Sequence, residues 1–159
     1  MPAVFKLDPS KRMVYSRSSG ILADEDLLGH IGKIRDLFEQ GVLDSSWAQI
    51  MDFTATTELA AVTSEGIRLL AEQNPWPRES IRVVIAPTNE VFGLTRMYQL
   101  LGDLDTAPLR IARLASEAES FVEHERLQRR GTEPLYSPDF SNPVPSSQPD
   151  PPNSGTASA

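Results

Sequence analysis

The sequence predicts an α/β fold: a mixed, mostly parallel β-sheet of about five strands with four helices, in the order ββαβαβαβα. Three observations predict it. Short runs of β-branched and apolar residues alternate with longer runs of helical period, the pattern of strand–helix–strand crossovers. The helical runs are about ten residues or more, enough to carry the chain back to a parallel neighbour. Only the first two extended runs are joined by a tight turn, so only they are expected to pair antiparallel.

Residues 3–7 alternate loosely as a short strand. Asp8-Pro9-Ser10-Lys11 is a turn, because Pro9 presets the turn dihedral and Asp8 and Ser10 bond nearby backbone. Residues 12–19 resume an extended pattern with Met13 and Tyr15 on one face. Gly20-Ile21-Leu22-Ala23 then leads into a first helix whose opening turn holds Asp24, Glu25 and Asp26, where the helix dipole favours anions. Leu27, Ile31, Ile34 and Phe38, with Leu28 and Leu37, form its apolar stripe, and Gly41 suits the left-handed position that ends it.

Residues 47–53 read as a buried strand, followed by a loop over 54–62. Residues 63–73 form a second helix with Ile67, Leu70 and Ala71 inward, and Pro75 lies beyond its end. Residues 81–86 are the best strand of the chain; so β-branched a run is typical of a strand covered on both faces, near the centre of its sheet. Pro87-Thr88-Asn89 offers a cap for a third helix over 91–101. Residues 109–113 form the last strand, and a last helix runs from Ala115 to about Arg130.

From Gly131 the composition changes. Residues 131–159 hold seven of the 13 prolines, much Ser, Asn and Gly, and neither Lys nor Arg. So little apolar surface cannot offset chain entropy, so the domain is expected over 1–130 and a disordered Pro/Ser-rich tail over 131–159.

Charge excludes several classes of function. The 159 residues carry 15 basic and 22 acidic side chains, a net charge of -7, which disfavours nucleic acid and anionic membrane surfaces as partners. With no cysteine, disulfides, thiolate metal sites and a cysteine nucleophile are excluded, and two histidines cannot build a multi-histidine cage. No run reaches the roughly 18 apolar residues of a membrane span, and the first residues lack the pattern of a secretory leader. The expectation is a cytoplasmic protein without cofactor or metal.

Candidate site residues follow from position. Ser64 opens the second helix, where backbone donors and the dipole would stabilise a phosphate; alternatively Thr63 caps the helix and Ser64 is only a tolerated first-turn residue. Asp52 ends a central strand, where α/β sheets place ligands, or else begins the next loop by bonding its own backbone. In the third helix Val91, Leu94, Tyr98 and Leu101 form one stripe, leaving Phe92, Met97 and Leu100 outside it. That surplus fits a deeper core, a homodimer contact or one wall of an apolar pocket, with Gly93 allowing close approach and Arg96 needing an acidic or carbonyl partner. His30 falls beside the stripe of the first helix as a border residue, and His124 lies among charges and is expected to be solvated. The carboxylates of 24–26 are ordinary helix-start charge, those of 103–105 lack the ligand count and loop glycine of a calcium site, and neither histidine sits in a hydrolase motif.

Several stretches in this order resemble the STAS-like family, named for sulfate transporters and anti-sigma-factor antagonists: Gly20-Ile21-Leu22, Ile50-Met51-Asp52, Thr63-Ser64-Glu65-Gly66-Ile67, and Ile85-Ala86 followed by Val91-Phe92-Gly93-Leu94-Thr95-Arg96-Met97-Tyr98. The last is similar to a segment of the bacterial branch of mostly uncharacterised small proteins. The resemblance covers roughly residues 3–123 and implies a regulatory or ligand-binding module; a related eukaryotic fold carries lipids. In phosphorylatable members the second helix begins Asp-Ser-Ser-Gly, and the first serine takes phosphate from a partner kinase. Ser64 and Gly66 match that serine and the glycine, while Thr63 and Glu65 replace the aspartate and the second serine. The expected function is a non-catalytic regulatory module acting through protein–protein interaction, with a protein partner or a second copy; the alternative is a carrier or sensor of a small apolar or lipidic ligand near the third helix.

Overall fold

The computed structural model describes residues 3–132. The predicted tail, apart from the helical Gly131 and Thr132, lies outside the described residues. The chain divides after Glu125 into two compact units, and the described part of the second, residues 126–132, is helical.

The elements are β1 (Ala3–Asp8), β2 (Met13–Ala23), α1 (Asp24–Glu39), β3 (Ala48–Ala61), α2 (Ser64–Glu72), β4 (Arg82–Ile85), α3 (Asn89–Leu101), β5 (Leu109–Ala112) and α4 (Ala115–Thr132). They give the predicted ββαβαβαβα order in one five-stranded sheet, β1-β2-β3-β4-β5. β1 and β2 form the antiparallel hairpin; its turn is held by Asp8, whose Oδ1 accepts from Ser10 Oγ at 2.7 Å. β2, β3, β4 and β5 are parallel. The sheet therefore grows in one direction, strand by strand, and crossovers of one hand must put α1, α2 and α3 on the same face.

The packing agrees. Leu27 and Ile31 of α1, Ile67 and Leu70 of α2 and Tyr98 of α3 pack with Leu22, Met51, Val84 and Leu109 of the sheet. On the opposite face Ala118 and Val122 of α4 pack on Met13, Ile50, Val83, Ile85 and Ala112. β4 is buried at every position, and lies between β3 and β5, away from both edges. A corner formed by Val14, Ile34, Leu43, Trp47 and Trp76 closes one end.

Local chemistry sets the helix ends. Thr63 Oγ1 accepts from the Gly66 amide at 3.0 Å, and Thr88 Oγ1 accepts from the Val91 amide at 3.2 Å, so both threonines act as N-caps. After α1, Gly41 takes φ +79°, and the Val42 amide donates to Leu37 O at 2.9 Å, closing the helix with a left-handed turn.

Three readings change. Residues 54–61 are not a loop but the second half of β3, paired with β2 alone. His30 is not a border residue: it is 6% exposed, because β1 brings Phe5 edge-on against its ring at 5.7 Å. Leu101 is not on the inward stripe of α3; it is exposed, and Thr95 and Gln99 are buried instead. Gln99 can turn inward because its Nε2 donates to Leu109 O at 2.9 Å, and Thr95 satisfies its hydroxyl by donating to Val91 O at 2.8 Å.

α1 and α2 are latched at their first residues. Asp24 Oδ1 accepts from the Thr63 amide at 2.8 Å, and its Oδ2 accepts from Thr63 Oγ1 at 2.5 Å. A Cβ at Gly66 would stand 2.1 Å from Asp24 Oδ1. Gly66→Ala must therefore displace a carboxylate held by two hydrogen bonds. The expected cost is about 1–3 kcal/mol, read as a lowered urea midpoint, with Asp24→Ala giving a similar loss and the double variant no further one. Full additivity would show that Asp24 and Gly66 are not coupled.

Candidate functional site

Between α1, α2, α3 and the sheet lies a cavity of about 100 Å³. β3 supplies its floor by strict alternation: Gln49, Met51 and Phe53 face it, while Ile50 faces α4. β4 contributes Arg82 and Val84 in the same way, since Val83 and Ile85 face α4. Leu27, His30, Ile31 and Ile34 enter from α1, Ile67 and Leu70 from α2, and Val91, Leu94, Thr95 and Tyr98 from α3. Leu22 of β2, Trp76 in the loop before β4, and Leu59 and Val62, at the end of β3 and just past it, complete the lining.

The cavity is chemically graded along the strands. Gln49 is opposite Arg82 in the β3–β4 register and Met51 is opposite Val84, whereas Phe53 lies past the end of β4. Four residues of strand, about 13 Å, thus separate a polar end from an apolar one.

The polar end is centred on Arg82, which is only 9% exposed. Its Nε donates to Gln49 Oε1 at 3.2 Å; its Nη1 donates to Asn74 Oδ1 and to Tyr98 Oη, both at 3.1 Å. Gln49 Nε2 in turn donates to Ser16 Oγ at 3.0 Å. The guanidinium also lies 5.5 Å from the ring centroids of both Trp76 and Tyr98, within cation–π range. No carboxylate pairs with it among the described residues, where the ion pairs are those of Arg68 with Glu65 and Glu72. His30 is the second polar group, and both its ring nitrogens are buried without a hydrogen-bond partner among the described residues. Burial, reinforced by the positive charges of Lys33 and Arg82, lowers its pKa to about 4, so the imidazole is neutral at pH 7.

The residues singled out by sequence lie elsewhere. Ser64 is exposed as the first residue of α2, after the Thr63 cap. Asp52 accepts from the Thr54 amide at 2.8 Å and, by alternation, shares the α4 side of β3 with Ile50; it is not brought together with Ser64. Gly66 is the close-approach point at Asp24. On α3, Phe92 is 37% and Leu100 56% exposed, Arg113 lies over the Phe92 ring at 4.7 Å, and Gly93 faces open space. Arg96 finds a carbonyl partner in Gln99 Oε1 at 3.0 Å, and Met97 packs half-buried against the core. Of the two histidines His124 is exposed, and no cluster of metal-ligating side chains occurs among the described residues.

No protein family, curated protein or solved structure matches the chain. No helix among the described residues is long and apolar enough to cross a membrane.

Arg82, Gln49 and Trp76 are not singled out from the sequence, and His30 reads there only as a border residue. The signal was present as polar residues at core-periodic positions: Arg82 interrupts an otherwise apolar strand, and His30 stands three residues after Leu27 and four before Ile34.

Proposed function

We propose that the chain is a non-catalytic carrier or sensor of a small, largely apolar molecule held in the cavity under α1, α2 and α3. The observation that carries this reading is the combination of an apolar cavity with a buried polar end whose groups are not all satisfied by the described residues. A cavity of about 100 Å³ falls near the size that admits a benzene-like guest in a packed core. A few converging polar groups on apolar walls are the usual make-up of a small-molecule site.

Trp76 lines the cavity and serves as a reporter. Native mass spectrometry of the purified full chain is expected to show a retained small molecule. Titration of stripped protein with benzyl alcohol or hexan-1-ol should change Trp76 fluorescence saturably. Val84→Phe, which fills the cavity from β4, should abolish that response while leaving the circular-dichroism spectrum unchanged. Absence of any saturable response in the folded wild type would overturn the carrier reading.

A second reading, a protein-contact module, is favoured by the surface of α3, where Leu100 and Leu101 are 56% and 51% exposed. An empty protein with the mass of a dimer in the same spectrum would support it instead.

A further inference from the structure

We infer that the molecule held in the cavity is a small amphipathic monoanion, a carboxylate whose head group lies between Arg82 and His30 and whose apolar part points toward Phe53. The inference rests on the carrier reading and names the chemistry of the occupant.

The first support is the charge balance of the site. A buried guanidinium is costly unless an anion pairs with it, and an arginine cannot escape by losing its proton. Arg82 is buried, and each hydrogen bond it makes among the described residues goes to a neutral acceptor. The amide groups of Gln49 and Asn74, the Tyr98 hydroxyl and the two rings hold the cation in place without neutralising it. Its Nη2 makes no hydrogen bond among the described residues, although Nη2 carries two of the five N–H donors of the fork. Nη2, the one guanidinium nitrogen that no described residue engages, is not among the fully buried atoms, and it is the part a carboxylate would reach.

The second support is independent of the first. A neutral imidazole carries one N–H donor and one acceptor, and in His30 neither is satisfied although both nitrogens are buried. Such an orphan donor calls for an explanation, and a bound group that supplies its partner is one. A carboxylate oxygen accepting from the His30 N–H, with its other oxygen accepting from Arg82 Nη2, satisfies both groups at once. Tyr98 Oη, already accepting from Nη1, fixes the angle of the guanidinium plane.

The class of anion follows from what surrounds it. The cavity lining contains one permanent cation, Arg82; Lys33, the other positive group felt by His30, is exposed on α1. One buried positive charge balances a monoanion and leaves a phosphate dianion undercompensated. The planar fork favours a planar carboxylate. The volume of about 100 Å³, against roughly 150 Å³ for a cavity that holds benzene, calls for a small acid, with its apolar part among Met51, Leu70 and Phe53.

The test compares isosteres on the full-length protein. Benzoate and hexanoate are titrated beside benzamide and hexan-1-ol, with Trp76 fluorescence and calorimetry as readouts. The acids are expected to bind at least about tenfold more tightly than the neutral isosteres, the worth of one charge-assisted pair. Arg82→Met should erase that preference while neutral guests still bind; Arg82→Lys, which keeps the charge but not the fork, should lose most of it. If Arg82→Met does not fold, the wild type alone decides, because the Arg82 Nε–H resonance should move with benzoate and not with benzamide. Equal binding of acids and neutral isosteres would overturn the inference and leave the carrier reading standing. Tighter binding of hexyl phosphate than of hexanoate would overturn the carboxylate class. Binding of none of these compounds would overturn both.

Discussion

Replacing Trp76 with alanine is expected to lower the unfolding free energy by about 3–5 kcal/mol, the range for removing a fully packed aromatic ring. Trp76 is buried in the corner with Val14, Ile34, Leu43 and Trp47, and Phe38 meets its ring edge-on at 5.1 Å. Unlike an ordinary core ring it also covers a cation, since the Arg82 guanidinium lies 5.5 Å from its centroid. Alanine would leave a hole and bring water to Arg82, and local repacking cannot repair both. Trp76→Phe should recover much of the loss, because it refills the corner and keeps a face toward Arg82. Urea unfolding followed by far-ultraviolet circular dichroism tests this, with a lowered midpoint at unchanged slope. A loss below about 1 kcal/mol would mean that the ring is not what holds this corner.

The second large effect is on acid stability. His30 has its pKa lowered from the ordinary 6.5 to about 4, first by burial and then by the charges of Lys33 and Arg82. Between those two pH values the unfolded chain binds a proton at His30 that the folded chain does not. The stabilisation from burying the neutral imidazole is therefore complete above pH 6.5 and is lost as pH falls toward 4. Over that window the loss amounts to about 3 kcal/mol, at roughly 1.4 kcal/mol per pH unit. His30 faces the Phe5 ring from β1, Arg82 from β4 and Lys33 along its own helix, and among the described residues no carboxylate offsets the effect. Asp44, Glu65 and Glu117, all exposed, and the part-exposed Asp8 are held below their ordinary values by hydrogen bonds and add acid sensitivity only at lower pH. His30→Leu should flatten stability between pH 6.5 and 4 relative to wild type. An unchanged slope in that variant would show that His30 takes up its proton as readily in the fold as in the unfolded chain.

The sequence disclosed the scaffold more readily than the site, and the reasons are physical. Strand order, the hairpin at Asp8 and the caps at Thr63 and Thr88 depend on short-range chemistry: alternation, turn residues and side-chain acceptors within three positions. The second half of β3 was not legible, because Thr54-Ala55-Thr56-Thr57-Glu58 has no alternating apolar face; it becomes a strand through backbone pairing with residues 19–23 of β2. His30 and Arg82 could be read as side chains but not as neighbours. One is buried by Phe5, from a strand 25 residues earlier, and the other by Trp76 and Tyr98 from separate segments. On α3, local period alone could not tell that Gln99 turns inward and Leu101 outward, because the Leu109 carbonyl that decides it belongs to the next strand.

The extension of β3 past β4 also bears on how a molecule could reach a buried site. β4 ends at Ile85, opposite Asp52, so residues 53–61 have a strand on one side only. Their pairing with β2 is broken by three register shifts, and Gly20 sits within it at φ +69°. Each backbone amide there is held by fewer neighbours than those of the four-strand parallel core, so opening this ribbon costs less than opening the fold. Phe53 and Leu59, which wall the apolar end of the cavity, are carried on that same ribbon. On the carrier reading, a guest would enter and leave by local opening of this two-stranded segment, without global unfolding, while Arg82 stays where the sheet is paired on both sides.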